Sequence, residues 1–501
     1  MDIGYFTHAK VLVESIKKRT GVQEIRASET PLVPCCHNPS KSTPLVEMSL
    51  PVAFEPFLLS SLEHYLVVAG IGSYGCNYFI FRTENTDDAL STLNTGVTRL
   101  VQELPFLAGE VAPVAGDSRR RLEVRPSSID VFEKCPMLVV REVNSPLPAS
   151  DFGRTIDAAG DNAYRPLPPK PDGPFQPVLR FQANMFHGGI VLCFCWNHLL
   201  IDGTAVSNVI QMLASCCRAE TSVSLKSIRQ QQDLGRKIIS DIIERPLPEK
   251  MSADDESFVL HNLEEVATES IARETMQFSP RRIDELKTAC NERLSVGQYC
   301  TTNDILMALY WIIGARASIA HGKRFLAISF AVSMAKRCRP SLPDSYIGST
   351  LVLQSVQGNQ HEIVDALSTI DSNPSSIPDA YTPLLAKLAT QIRAKILATD
   401  DQHLTRTIHE LYEMSQWNPG QGKGDLLFSN LSFNGCYKQD FGPVLGPVVG
   451  FEPRTVYPNM AYLKPRRPVG TGLGPWELTL MFDPKRLEMM KNDPLLVWAS
   501  T

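Results

Sequence analysis

The chain has 501 residues, 43% hydrophobic and 21% charged, with a formal net charge of −5. This is ordinary globular composition, which excludes a disordered or fibrous chain. The balance of charge gives no general attraction to nucleic acid or to an anionic membrane.

Length sets a two-domain expectation, because a single core stops growing beyond about 250–300 residues. The N-terminal stretch from Met1 to Ser15 lacks the basic segment and apolar run of a signal peptide. No apolar run reaches the about 20 residues of a membrane helix. A cytoplasmic protein with no membrane, nucleic-acid or obligate protein partner is expected. The twelve cysteines show no zinc-ribbon spacing. They are expected to be reduced and to fill core space. Cys35-Cys36-His37 has no partner cluster, so no metal is expected. Arg119-Arg120-Arg121 reads as a solvated loop.

Along the chain, Thr86-Asp87-Asp88 precedes Leu90, Leu93, Val97, Leu100, Val101 and Leu104, which is helical spacing behind a capping residue. The proline-rich stretch Tyr164 to Pro171 reads as an extended loop. Ile190 to Trp196 is a short apolar run behind a glycine pair and predicts a buried strand. Val206, Val209, Ile210 and Leu213 then mark one face of a helix. Glu244 to Glu249, with two prolines, and the polar run Ser252 to Glu256 read as a crossover. Thr301-Thr302-Asn303-Asp304 has a capping-box pattern and opens an apolar helix through Trp311. Phe325 to Val332 and Trp476 to Phe482 predict strands, the latter followed by a helix from Pro484 to Met490. Strands and helices alternate in both halves, which predicts an α/β (α+β) fold. The expected organisation is a domain over 1–220, a linker over 221–258 and a domain over 259–501.

The strand at 190–196 ends in Asn197-His198-Leu199-Leu200-Ile201-Asp202-Gly203. A histidine and an aspartate therefore sit in the tight connection between a buried strand and a helix. Such a connection presents side chains to a cleft from a rigid frame. Histidine suits general-base work because its ordinary pKa, about 6.5, lies near neutrality. Taken alone, this spacing of His, Asp and Gly arises by chance in many structural loops; its position here favours function. Far downstream, Asp440-Phe441-Gly442-Pro443-Val444-Leu445-Gly446 reads by itself as a sharply turned structural loop. Trp196 and Trp311 read as core residues, and His187, His261 and His403 as structural histidines.

Together the two blocks resemble the BAHD superfamily of acyl-CoA-dependent acyltransferases, with a flavour closer to fungal members, such as trichothecene O-acetyltransferases, than to plant ones. His198 to Gly203 matches the family's HxxxD pattern with its following glycine. Asp440-Phe441-Gly442 matches the start of its DFGWG block, with Pro443 and Val444 in place of tryptophan and glycine. Leu59 to Glu63, Pro105 to Val111, Thr301 to Asp304 and Pro340 to Gly348 look like further family blocks. The resemblance implies two chloramphenicol-acetyltransferase-like domains with a channel at their interface. It implies acyl-CoA, with acetyl-CoA favoured, as co-substrate, no permanent cofactor, and a hydroxylated small-molecule acceptor. His198 would be the general base, and Asp202 would hold the loop shape rather than relay protons. Gly203, Arg337, Asp440, Phe441 and Gly442 would shape the active site, with Arg337 as ionic partner of Asp202. Ser429 and Asn430 would supply oxyanion or substrate contacts. Monomer is the family default. Two other readings share the histidine motif: a condensation-type enzyme fed by a carrier protein, and a non-catalytic small-molecule binder.

Overall fold

The computed structural model describes residues 53–68, 74–148, 162–168, 176–219, 223–247, 271–322, 327–372, 377–414 and 426–501. Cys35, Cys36, His37 and His261 lie outside them. The architecture is mixed α/β, as expected.

Eight elements frame the site. They are helix α1 (Ser61–Val68), strands β1 (Tyr74–Arg82) and β2 (Gly189–Asn197), helices α2 (Gly203–Cys217) and α3 (Val223–Ser240), and strands β3 (Ala327–Ser333), β4 (Leu351–Gln357) and β5 (Leu426–Asn430). Every residue of β2 is buried, which is why the sequence runs apolar without alternation. It pairs antiparallel with β1 on one side and with Leu179–His187 on the other. The sheet ends at Leu138–Pro146 on that side; on its other edge, Gly450–Pro453 from the far end of the chain pairs with β1. The second half thus adds a strand to the first half's sheet.

The other large sheet runs in the order β4, β3, β5, Met460–Leu463, Trp476–Phe482, Ala272–Phe278. One of its faces packs on the helix Thr302–Ala320, through Tyr310 against Phe428 and Phe482. That helix is buried nearly all round, so it is a core helix rather than an amphipathic one. Its capping box is present as expected. The helix Thr86–Glu103 is also present, capped by Asn85 rather than by Thr86.

The expected linker opens with α3, which is packed on both halves. Arg229 donates to the carbonyls of Gln102 and Glu103. Gln232 donates to the Ser345 carbonyl at 2.8 Å and accepts from the Ile347 amide at 2.7 Å. Gly235 on the same helix admits the Tyr346 ring: a Cβ there would stand 2.2 Å from Tyr346 Cδ2. Glycine to alanine inside a helix normally gains about 1 kcal/mol. Here the sign reverses, because Tyr346 is buried and the core would be overpacked. Gly235→Ala is expected to lower stability by about 1–3 kcal/mol, read as a shift of the urea midpoint; an unchanged or higher midpoint contradicts this packing.

Burial also fixes the state of His64 on α1. Its Nδ1 lies 2.8 Å from the Ser60 carbonyl, and its Nε2 accepts from the Leu122 amide at 2.8 Å. The ring therefore carries its proton on Nδ1 and is neutral, and burial holds its pKa down at about 4. Among the described residues no helix is long and apolar enough to cross a membrane. Arg121 pairs with Asp117 at 3.0 Å and Arg119 lies over the Tyr412 ring, so the basic run is a loop tied to neighbouring side chains.

Candidate active site

The site grows from the junction of β2 and α2. Hydrogen bonds from Leu200 and Ile201 amides to the Asn197 carbonyl close the turn that carries His198. Asp202 then caps α2: its Oδ1 accepts from the Thr204 and Ala205 amides, each at 2.9 Å. Its Oδ2 accepts from the amide of Thr350 at 2.8 Å and from the Thr350 hydroxyl at 3.0 Å. Asp202 is fully buried. Four donors and the positive end of a 15-residue helix hold its charge.

Both oxygens of Asp202 are therefore committed, Oδ1 to the start of α2 and Oδ2 to Thr350 just before β4, and neither bonds His198. Arg337 is not the partner of Asp202, contrary to the expectation from sequence. The Arg337 guanidinium donates to the carbonyls of Ile396 and Thr399, each at 2.8 Å. It ties down the C-terminal end of the helix Thr382–Ala398, where a cation is favoured.

His198 is partly exposed, yet its Nδ1 is buried with no side-chain partner. The accessible edge of the ring is thus the Nε2 side. Burial lowers the imidazole pKa below its ordinary value, against an opposing pull from its own main chain and from the Asp202 carboxylate. The ring lies 6.1 Å from that of Trp196, which is core as expected. A partly exposed, neutral imidazole with one free nitrogen is fit to accept a proton near neutral pH.

Gly203 has no positive φ, and a Cβ there would reach only ordinary contact with Leu431 and Phe433, at 3.4 and 3.6 Å. The same contacts set Leu431 and Phe433, which follow β5, against the start of α2. Ser429 and Asn430 part company here, since alternate residues of a strand face opposite ways. Asn430 donates to Asn303 Oδ1 at 2.8 Å, on the side of the core helix, and accepts from the Ser432 amide. Ser429, half-buried, lies on the opposite face of β5 from Asn430.

The Asp440-Phe441-Gly442 loop is structural but is not at the active site. Asp440 Oδ1 accepts from the Gly442 amide at 2.9 Å, and Gly442 takes φ +94°, which favours glycine. Phe441 is fully buried edge-on to Phe81. The loop meets the helix at Arg218, the C-terminal cap of α2, which donates to the Asp440 carbonyl. His198 precedes the other end of a helix about 22 Å long, at 1.5 Å per residue.

A cavity of about 150 Å³ opens beside Asp202, lined among others by Ser333, Ala335, Lys336, Tyr346 and Thr350. It lies where α2 meets the segment between β3 and β4. Asn208 of α2 donates across this junction to the carbonyls of Asp344 and Tyr346. Of the other histidines, His403 is buried against Gln354 at 2.8 Å and His187 is exposed.

The profile of the Transferase family matches residues 40–418. The chain is 28% identical to the O-acetyltransferase cpsE of Aspergillus campestris, over 88% of this chain and 96% of that protein. It is also 28% identical to the communesin N16 acyltransferase cnsK of Penicillium expansum, over 90% and 99%. Among solved structures, F. sporotrichioides TRI101 complexed with coenzyme A and T-2 superposes with a TM-score of 0.70. That similarity covers 89% of this chain and 99% of that one at 19% identity, and it shows the fold.

Proposed function

We propose, from the premise that this chain belongs to the Transferase family, the BAHD acyltransferases, that it is an acyl-CoA-dependent O-acyltransferase. Its substrates in this reading are acetyl-CoA and a hydroxyl of a small fungal secondary metabolite. The observation that carries the reading is His198: a half-buried imidazole with an accessible Nε2, on a loop locked by Asp202. Support comes from relatives named as acetyl- and acyltransferases and from a neighbour of the same fold that holds coenzyme A and T-2. The two acyltransferase halves are 1–220 and 259–501, and the protein acts as a cytoplasmic monomer.

In the proposed reaction, Nε2 of His198 takes the proton of the acceptor hydroxyl as that oxygen attacks the thioester carbonyl. The negative charge of the tetrahedral intermediate falls on the former carbonyl oxygen, where Ser429 is the candidate donor. Collapse breaks the carbon–sulfur bond, and the imidazolium returns its proton to the departing CoA thiolate. No acyl-enzyme forms. Consistent with this, burial pushes the thiols of Cys217, Cys290 and Cys436 up to about 12, so they are poor nucleophiles.

Because the His198 pKa is held below that of free imidazole, its neutral form persists on the acid side. The acidic limb of kcat/KM against pH is expected at a midpoint below about 6.5. A midpoint clearly above that value contradicts the assignment of the base or of its environment.

The donor class is tested by supplying purified protein with free acyl-CoAs of increasing chain length and a panel of hydroxylated metabolites, without any carrier protein. Acylated product identifies a CoA-dependent enzyme and its acyl preference. Product only from an acyl group loaded on a carrier protein would transfer the reading to a condensation-type enzyme.

A further inference from the structure

Asp202 is a fully buried carboxylate whose oxygens meet neutral donors, and two of its four hydrogen bonds come from one residue of the other half of the chain, Thr350. The direction of each bond follows from chemistry. An ionised carboxylate only accepts, so Thr350 must give it its single hydroxyl proton. The Thr350 oxygen is then free to accept, and Ser333 Oγ lies 3.3 Å away. Ser333 is therefore the donor in that contact, and the chain runs from the Ser333 hydroxyl to the Thr350 hydroxyl to the Asp202 carboxylate. Thr350 is held from behind as well, since its carbonyl accepts from the Met334 amide at 2.8 Å. Ser333 ends β3 and Thr350 directly precedes β4, two paired strands of the second sheet. The rigidity of that strand pair thus reaches the turn carrying His198.

We propose that Thr350, backed by Ser333, is a positioning residue for acyl transfer: it anchors the His198 turn to the second sheet through Asp202. The inference rests on the reading of His198 as the base. Misplacing a base by a fraction of an ångström slows the reaction without weakening donor binding. Asp202 is also the charged side chain that acts on the His198 ring, and it favours the protonated form. If it loses its anchor and withdraws, the ring titrates at lower pH.

The test compares Thr350→Val, Thr350→Ser and Ser333→Ala in the full chain. Valine keeps the branched shape and the amide but loses the hydroxyl. Serine keeps the hydroxyl. Thr350→Val is expected to lose about tenfold to a hundredfold in kcat, the worth of one hydrogen bond to a charged group, with KM for acetyl-CoA unchanged. Thr350→Ser is expected to stay within about threefold of wild type, and Ser333→Ala to fall between the two. Independently of turnover, the His198 resonance in histidine-labelled protein, assigned by its absence in His198→Ala, is expected to titrate at lower pH in Thr350→Val. Should Thr350→Val fail to fold, Ser333→Ala and Thr350→Ser decide by the same two readouts. The proposal is overturned if folded Thr350→Val keeps both wild-type kcat and the wild-type titration, or if Thr350→Ser is as impaired as Thr350→Val. Wild type that acylates nothing would instead sink the functional reading, and the titration would still report on the anchor.

Discussion

Asp202→Ala is expected to cost about 2–5 kcal/mol of folding stability and to take turnover down with it. Two losses add. The cap of α2 disappears, worth about 1–2 kcal/mol. The amide of Thr350 is then left buried without an acceptor, at about 1–3 kcal/mol, whereas its hydroxyl can turn to Ser333 Oγ. Asp202→Asn should fall between alanine and wild type. Its amide oxygen still caps the helix, but its NH2 group faces two donors. Urea unfolding followed by circular dichroism gives the stability, and product formation gives the turnover. A normally stable Asp202→Ala protein with abolished turnover would mean that Asp202 acts directly on the proton transfer, against the geometry described above.

His198→Ala is expected to behave in the opposite way. Its side chain bonds no neighbouring group, so stability should move by less than about 1 kcal/mol. Turnover should fall roughly 10²–10⁴-fold, the usual contribution of a general base. The fall should appear in kcat and kcat/KM together, because the interaction is made in the transition state. KM for acetyl-CoA should stay near wild type.

Much of the site's frame was legible in the sequence. The buried strand announced itself as a continuous apolar run, and the helix after it by the spacing of Val206, Val209, Ile210 and Leu213. An acidic residue just before that helix is a cap by ordinary rules, and Asp202 obeys them. What lay beyond reach was long-range pairing. Thr350 is 148 positions from Asp202, and no local pattern marks a threonine whose function is to bond a distant carboxylate. Arg337 was expected there from a family pattern, yet its charge is spent on two helix-end carbonyls. Likewise the glycine turn at Asp440 to Gly442 was readable as a tight loop, but its place depends on Arg218 at the far end of α2. Ser429 and Asn430 could not be told apart until the strand assigned them opposite faces.

The most direct test of the central claim is a time course with acetyl-labelled acetyl-CoA and a mixture of hydroxylated metabolites, followed by mass spectrometry, for wild type and folded His198→Ala side by side. Labelled acceptor that accumulates with wild type and nearly vanishes with His198→Ala is the predicted result. Labelled acceptor formed at the same rate by both proteins would contradict the account, because the acetyl group would then move without the base.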